Sequence, residues 1–232
     1  MSIPTRAVTE ARDREATAQL RCSCYAVLSE LLASPHDLDP RVPLREKSGI
    51  ASGLEYGAPV DAALSAYLEF ELQDLKRQYS GLFEVGDDGP PVPIREDLQT
   101  GQRGGTREDL VRFYNFFKYS LGEKFAWAPD HASVELEFMH YLCYHEASAD
   151  EGHLSYQLAQ FDFSSRHLVT WFPRLANDVK AKSPDSIYGR AVGVVCEFLL
   201  RDHEWQAATI VESSVDTAAD QPADTAASAN SV

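Results

Sequence analysis

The chain has 232 residues, of which 44% are hydrophobic and 25% are charged, enough for one sizeable core or two small ones. Acidic residues outnumber basic ones by 36 to 21, which gives a formal charge of −15. This balance disfavours a nucleic-acid partner, because proteins that bind phosphate backbones carry the opposite field; a basic partner, or simple solubility, fits it better.

The cysteine and apolar patterns indicate a cytoplasmic protein. Cys22 and Cys24 lie one residue apart, Cys143 and Cys196 stand alone, and there is no C-x-x-C pair of the kind that binds zinc or forms a redox dithiol. No run of about 18 apolar residues occurs, and the N-terminus carries charges where a signal peptide needs its apolar stretch. We therefore expect four reduced thiols, no membrane insertion and a cytoplasmic location.

Apolar residues recur at helical spacing through the first half of the chain. The spacing predicts a helix over about 12–33 and a second helix from about 60 that runs through Tyr79 into Leu82 and Phe83. Residues 86–105 are rich in glycine and proline, which disfavours regular structure. We expect a long loop there, and long loops inside compact domains tend to be functional.

The second half continues the helical pattern. Thr106 fits the N-cap of a helix that Gly122 ends, and Pro129-Asp130 opens the next one. That next helix has an expected inward stripe of Val134, Phe138, Tyr141, Leu142 and His145. Further helices are predicted over about 152–160, over 164–181, and from Ser183-Pro184 to near Arg201.

These elements predict an all-α fold of about seven or eight helices in a single domain. The domain is expected over residues 12–205, after a flexible N-terminus over 1–11. Residues 206–232 are small, polar and acidic, without an apolar stripe to bury, and are expected to form a disordered tail.

The stretch WAPDHASVELEFMHYLCYHE, residues 127–146, is dense in polar groups and raises the question of a metal or catalytic centre. Glu137 and His140 form a Glu-x-x-His pair, but a di-iron bundle needs a second such pair and the chain has none. Motifs for serine hydrolases, zinc proteases and phosphate loops are also absent, and a cysteine within an apolar helix is more often inert. A di-metal oxidase is therefore the weakest hypothesis.

Local pattern alone favours a structural role for the start of this helix. Asp130 can cap the orphan amides, and His131 can pair with Glu135 four residues later. Leu82, Phe83 and Trp171 have apolar spacing that fits a core. His131 is the residue for which we favour a functional role.

Three segments together resemble one family. PDHASVELEFM at 129–139 is similar to the Pro-Asp-His-x-x-x-Glu-Leu-x-Phe-Met signature of the TorD/DmsD/NarJ chaperones, which mature molybdenum-cofactor oxidoreductases. YSGLF at 79–83 and FSSRHLVTWFPRL at 163–175 are similar to its other two signatures. The loop GPPVPIREDLQTG and the segment REDLVRFYNFF look most like the branch that accompanies dimethylsulfide dehydrogenase and chlorate reductase.

The resemblance, over about 15–202, implies a bundle of antiparallel helices and no enzymatic activity. It implies binding of an immature catalytic subunit and its twin-arginine signal peptide before export. The family's binding positions fall on Tyr79, Leu82, Phe83, Pro129, Asp130, His131 and Glu135, and less directly on His167 and Trp171. The loop departs from the Pro-Tyr-Glu-Ser of other branches, having Pro-Ile-Arg-Glu at 93–96, so their loop contacts are not carried over.

A twin-arginine signal has a basic start and an apolar middle, so its receptor should offer acidic charges beside an apolar groove. We expect Asp130 and Glu135 to supply the acid, and Tyr79, Leu82, Phe83 and Trp127 to supply the apolar wall. The alternative is a carrier that binds the molybdenum cofactor or a guanine nucleotide, without a resident cofactor of its own. A monomer and a domain-swapped dimer, with the 86–105 loop as hinge, both remain open.

Overall fold

The computed structural model describes residues 12–47, 49, 51–84, 86, 89–101, 105–122, 128–149 and 152–219; the side chains of Ser52 and of residues past 210 are outside it. The described part contains helices and turns, with an isolated bridge between Arg95 and His131. The helices are α1 Arg14–Leu32, α2 Arg41–Arg45, α3 Ala58–Leu68, α4 Leu72–Phe83, α5 Glu96–Thr100, α6 Gly105–Phe116, α7 Ala132–Ser148, α8 His153–Phe163, α9 Val169–Lys182 and α10 Ile187–Ala219.

The all-α prediction is confirmed. Among the described residues, eight helices have 11 or more residues, and α2 and α5 are single short turns of five residues each. A 3₁₀ turn, Ala51–Gly53, precedes α3, and a π-helical turn, Ser164–Leu168, joins α8 to α9. No described helix has the length and apolar character that a membrane crossing requires.

Helix α7 lies at the centre of the molecule. It packs along α1 on one side and against α8 on another. Burial therefore extends well beyond the predicted stripe: Val134, Phe138 and Leu142 are buried as expected, whereas Tyr141 and His145 are only partly buried. Because neighbours surround the helix, even Glu135 and Glu146 are fully buried on it.

Several predicted boundaries are wrong. The helix expected from about 60 is two helices, α3 and α4, and Arg41 Nη1 donates to the Phe70 carbonyl at the break between them (3.1 Å). The helix after Thr106 ends at Phe116 rather than at Gly122, because Lys118 turns the chain with a φ of 58°. The loop over 86–105 contains α5, which ends at Gly101 in the left-handed conformation.

The last helix does not end near Arg201, since α10 continues to Ala219. Gln206, Thr209 and Ile210 are buried, so a boundary of the folded domain at residue 205 is too early. The predicted flexible terminus, 1–11, and the end of the predicted tail, 220–232, lie outside the described residues.

A buried polar network holds the part of α10 just after Arg201. Asp202 accepts two hydrogen bonds from Arg21 of α1 (2.6 and 2.9 Å) and one each from Tyr25 and Tyr56 (both 2.7 Å). Gln206, one turn later, donates to the same carboxylate (2.6 Å). Asp202 and Arg21 are both fully buried. Each compensates the charge of the other, which would otherwise be costly to bury.

Candidate functional site

The entrance of α7 is joined to the segment of residues 89–101. The Ala132 amide donates to the Ile94 carbonyl (3.1 Å), and the Glu96 amide donates to the Asp130 carbonyl (3.0 Å). Gly101 and the prolines before Val92 allow this irregular backbone to fold back against the helix. The fold thus brings two segments that are about 35 residues apart into one site.

His131 is the N-cap of α7 and is held as a neutral imidazole. Its Nδ1 accepts the Ser133 amide (3.2 Å), which leaves Nε2 protonated and facing the hydroxyl of Tyr79 (3.1 Å). Burial is the main cause that lowers the pKa of His131 to about 4. The expectation that Asp130 caps this helix is therefore wrong, because its neighbour occupies the cap position.

Asp130 is fully buried and faces cations rather than solvent. Its carboxylate contacts Arg95 (3.2 Å) and Arg107 (3.6 Å) and accepts the Asp97 amide (3.3 Å). Burial alone would raise the pKa of Asp130, but hydrogen bonding with Asp97 and the charge of Arg95 outweigh it and lower the pKa. Asp130 therefore holds the segment of residues 89–101 against the start of α7. It does not form an acidic rim.

Glu135 is also buried, and this too contradicts the expected rim. Its Oε2 accepts the indole N–H of Trp171 (3.1 Å), whereas its buried Oε1 has no hydrogen-bond partner among the described residues. Burial, together with the charge of Glu96, raises the pKa of Glu135 well above its usual range. His167 joins the cluster from the other side, with Nδ1 3.0 Å from Glu96.

Most of the remaining predicted residues are buried, and one lies outside the described part of the chain. Leu82, Phe83 and Pro129 are largely buried, and the Pro129 carbonyl accepts from the hydroxyl of Tyr114 (2.8 Å). His167 and Trp171 lie in the interior, where a peptide cannot reach them without a rearrangement. Trp127 lies outside the described residues.

Three predicted residues do meet at a cavity. Tyr79, Phe83 and His131 line a space of about 260 Å³ between the α4 C-terminus, the loop after α1 and the entrance of α7. The other lining residues are Ser34, His36, Asp37, Glu84, Ile94, Arg95 and Ala128. Asp37 and Glu84 are exposed, so they supply the acidic rim that Asp130 and Glu135 do not.

A second cavity of about 410 Å³ lies next to the first, and Ser34 and Asp37 line both. It follows α1 and the outer face of α7, and its other lining residues are Ala26, Ser29, Glu30, Ala33, Leu38, Pro40, Lys47, Ser133, Glu137 and His140. We call the two cavities together the acidic cleft. Its described lining carries the carboxylates Glu30, Asp37, Glu84 and Glu137, and the cations Lys47 and Arg95, of which Arg95 is paired with Asp97 and Asp130.

The sequence offered little signal for the acidic cleft. Asp37 and Leu38 lie in a loop without periodicity, and Glu30 and Glu137 read as ordinary solvated positions on helices. The useful signal was the Ser34-Pro35 stop after α1, which turns the chain towards α4. Tertiary packing alone decides that these acids face one cleft.

An apolar groove lies elsewhere, between α6 and α8. Phe113, Phe117 and Ala159 line it, Phe116 and Leu158 are 79% and 48% exposed beside it, and its volume is about 400 Å³. Arg112, Arg166, Asp109 and Asp162 form ion pairs with one another around it. This groove is neutral, in contrast to the acidic cleft.

The described residues contain no group of three or more histidine, cysteine, aspartate or glutamate side chains arranged to hold a metal ion. His140 instead donates from Nδ1 to the carbonyl of Cys22 (2.9 Å), so the Glu137-x-x-His140 pair has a structural partner. All four cysteines are free thiols.

Comparison with known proteins identifies the family of the chain. Residues 52–177 match the model of the nitrate reductase delta subunit family. The chain is 34% identical to the chlorate reductase assembly chaperone protein of Ideonella dechloratans, over 54% of this chain and 68% of that protein. It is 32% identical to the selenate reductase assembly chaperone protein of Thauera selenatis, over 72% of this chain and 87% of that protein.

A third relative, the perchlorate reductase assembly chaperone protein of Dechloromonas aromatica (strain RCB), is 33% identical over 50% of this chain and 54% of that protein. The helical fold and these likenesses define the class: a system-specific chaperone and not an enzyme. The chain belongs to the nitrate reductase delta subunit family, the TorD/NarJ group that its motifs resemble, and to the branch of the chlorate reductase chaperones.

Proposed function

We propose that this chaperone binds the immature catalytic subunit of a molybdenum-cofactor oxidoreductase in the cytoplasm and keeps it competent for cofactor insertion before export. We further propose that the acidic cleft receives the basic start of that subunit's twin-arginine signal peptide. The second proposal rests on the lining of the cleft, which has four carboxylates and two cations. One of those cations, Arg95, is already paired with Asp130.

The cleft has the shape and chemistry that a basic peptide needs. Guanidinium groups pair with carboxylates in a planar, two-bonded geometry, and Glu30, Asp37, Glu84 and Glu137 offer several such partners in two neighbouring cavities. Tyr79 and Phe83 form an apolar wall beside them, and Leu38 is 66% exposed at the edge. Apolar contact should supply most of the affinity, and the charges should supply selection and a fast encounter.

The alternative of a carrier for the molybdenum cofactor or a guanine nucleotide has weaker support. Both of those ligands carry phosphate, and a cleft lined mainly with carboxylates repels phosphate. The arginines at the apolar groove are engaged in ion pairs with Asp109 and Asp162. We therefore propose no more than transient contact with such groups during maturation, and a monomer or a domain-swapped dimer as the working form.

Fluorescence anisotropy with a labelled twin-arginine peptide tests the cleft. Replacing both peptide arginines with glutamine should weaken binding to the wild-type chain. Asp37→Asn and Glu84→Gln in the chaperone should each weaken binding about two- to fivefold, because a partly exposed charge pair contributes up to about 1 kcal/mol. Binding should also weaken as salt rises towards about 0.5 M.

Asp178→Asn is the matched control, because this exposed carboxylate on α9 pairs with Arg174 and does not line the cleft. Equal binding by all variants, or binding that ignores salt, would show that the acidic cleft does not recognise the basic start of the peptide.

A further inference from the structure

Helices α6 and α8 carry a recess and an apolar projection on the same face. The recess is the groove of about 400 Å³, whose apolar lining includes Phe113, Phe117 and Ala159. The projection is Phe116, which is exposed at the end of α6, and the exposed Leu158 of α8 lies at the same groove. A surface that has both a recess and a projection can be complementary to a copy of itself.

Aromatic rings extend this surface beyond the groove. The ring centroid of Phe116 lies 4.9 Å from that of Phe117, which lies 5.9 Å from that of Tyr156. Tyr156 is 5.2 Å from His145, and His145 is 5.5 Å from the exposed Tyr144 near the end of α7. We call the groove lining and this row of rings the α6–α8 face. Exposed aromatic side chains in one continuous patch are typical of a protein–protein contact.

The charges that line the groove sum to zero. They are two carboxylates, Asp109 and Asp162, and two guanidinium groups, Arg112 and Arg166. The whole chain has a net charge of −15, so two copies repel each other in general, and a neutral face is where that repulsion is weak. A basic partner, in contrast, gains nothing from a neutral face.

The two sides of the groove are antiparallel within one chain. Asp109, near the start of α6, is 3.6 Å from Arg166, which follows the end of α8. Phe117, just after the end of α6, contacts Tyr156 near the start of α8. Residues of α6 and α8 that are level along the groove are therefore known from these two contacts.

We propose that two copies of the chain associate through their α6–α8 faces, around a two-fold axis that runs along the groove. Such an axis places α6 of one copy over α8 of the other and antiparallel to it. Asp109 of each copy then meets Arg166 of the other, because these two residues are level within each copy. Arg112, one turn after Asp109, meets Asp162, one turn before Arg166. All four kinds of contact across the axis join opposite charges.

Each copy stays complete in this pair. The association is therefore reversible on dilution, and it differs from a domain swap, in which two copies exchange an element. The residues that line the groove are separate from those that line the acidic cleft. The proposal consequently does not depend on the proposed function, and the cleft has the same lining in the monomer and in the pair.

Sedimentation velocity of the full chain tests for the pair. The sedimentation coefficient should rise from that of a monomer at about 5 µM towards that of a dimer at about 500 µM, in about 0.15 M salt, because a contact of this size associates weakly. Leu158→Asp should weaken the association at least about tenfold, since it places an unpaired charge inside the contact. Leu200→Asp is the matched control: Leu200 is 40% exposed on α10, against 48% for Leu158, and lies outside the groove lining.

A charge-swap experiment tests the axis. Arg112→Asp alone sets like charges opposite each other at two places in the pair, and Asp162→Arg alone does the same. Each variant should therefore self-associate at least about tenfold more weakly than the wild type. An equimolar mixture of the two variants should restore the association to within about threefold of the wild type, because every introduced charge then faces an opposite one. Asp109→Arg with Arg166→Asp forms a second set, which decides the question if far-UV circular dichroism shows that a variant of the first set has lost helix.

A wild-type chain that stays monomeric up to about 500 µM would overturn the proposal, and so would equal losses in Leu158→Asp and Leu200→Asp. A dimer that none of the variants weakens would assign the association to a domain swap or to another face. Single variants that fail to associate, with mixtures that also fail, would refute the two-fold axis along the groove. Binding of the twin-arginine peptide should be unchanged in Leu158→Asp, so the pair and the proposed function succeed or fail separately.

Discussion

Two hydrogen bonds of its imidazole ring determine which nitrogen of His131 carries the proton. Nδ1 must accept the Ser133 amide to cap α7, so a second proton on the ring would break the cap. Burial is the main cause that lowers the pKa of His131 to about 4 from 6.5. In the unfolded chain the same ring takes up a proton below about pH 6.5, and so acid favours unfolding through this residue.

His131→Asn should remove this acid sensitivity while keeping a cap, because the asparagine oxygen can take the place of Nδ1. The unfolding free energy of the wild type minus that of the variant should shrink by about 1 to 3 kcal/mol as the pH falls from 6.5 to 4. Urea titrations at a series of pH values measure this difference. A difference that stays constant, or grows towards low pH, would mean that His131 is charged in the folded chain.

At the scale of elements, hydrogen bonds to Asp202 join α10 to α1 and to the turn before α3. Five hydrogen bonds from four residues converge on this carboxylate, and Arg21 has no exposure to solvent. Removing Asp202 would leave the buried Arg21 with the more distant Glu146 carboxylate (3.4 Å) as its remaining ion-pair partner among the described residues, so most of its compensation would be lost.

Asp202→Ala should therefore cost about 3 to 5 kcal/mol of unfolding free energy, a large part of the stability of a domain this size. Glu204→Ala, two residues later on the exposed side of α10, should change it by less than about 0.5 kcal/mol. Thermal and urea unfolding of the two variants give the comparison. Equal, small effects would indicate that the network contributes little to holding α10.

The elements also show what sequence could and could not predict. Apolar periodicity correctly indicated the long helices, because a 3.6-residue period survives whatever surrounds it. It missed the end of α10, where the buried residues Asp202 and Gln206 are polar and depend on Arg21, some 180 residues away. It missed α5 for a similar reason: α5 is held by its packing on α9 and α7, not by local propensity.

The lining of the acidic cleft was predicted only in part, because it depends on contacts between residues that are far apart in the sequence. Three of the predicted residues, Tyr79, Phe83 and His131, lie together at the acidic cleft, which stays a predicted binding site. The exposed acids were assigned to Asp130 and Glu135, whose partners Arg95, Arg107 and Trp171 come from other segments and bury them. No spacing within one helix could reveal those partners.

At the scale of the whole molecule, a small part of the net charge of −15 lies at the acidic cleft, where four carboxylates and two cations line the described surface. The carboxylates of the acidic cleft are gathered on one side of α7, whereas the rim of the α6–α8 groove is neutral. A partner with a basic start and apolar segments would therefore be oriented by charge before its apolar parts bind. This arrangement agrees with a chaperone whose relatives are named for the assembly of chlorate, selenate and perchlorate reductases.

The measurement that tests the central claim most directly is co-purification of the catalytic subunit. The chain would be co-expressed with the catalytic subunit of a molybdenum-cofactor reductase, with and without its signal peptide, in cells that can and cannot make the cofactor. We predict that the cofactor-free subunit is retained, that the cofactor-loaded subunit is not, and that an Asp37→Lys, Glu84→Lys double variant retains less of the subunit when the signal peptide is present. Retention that is independent of cofactor loading, or no retention at all, would contradict the account.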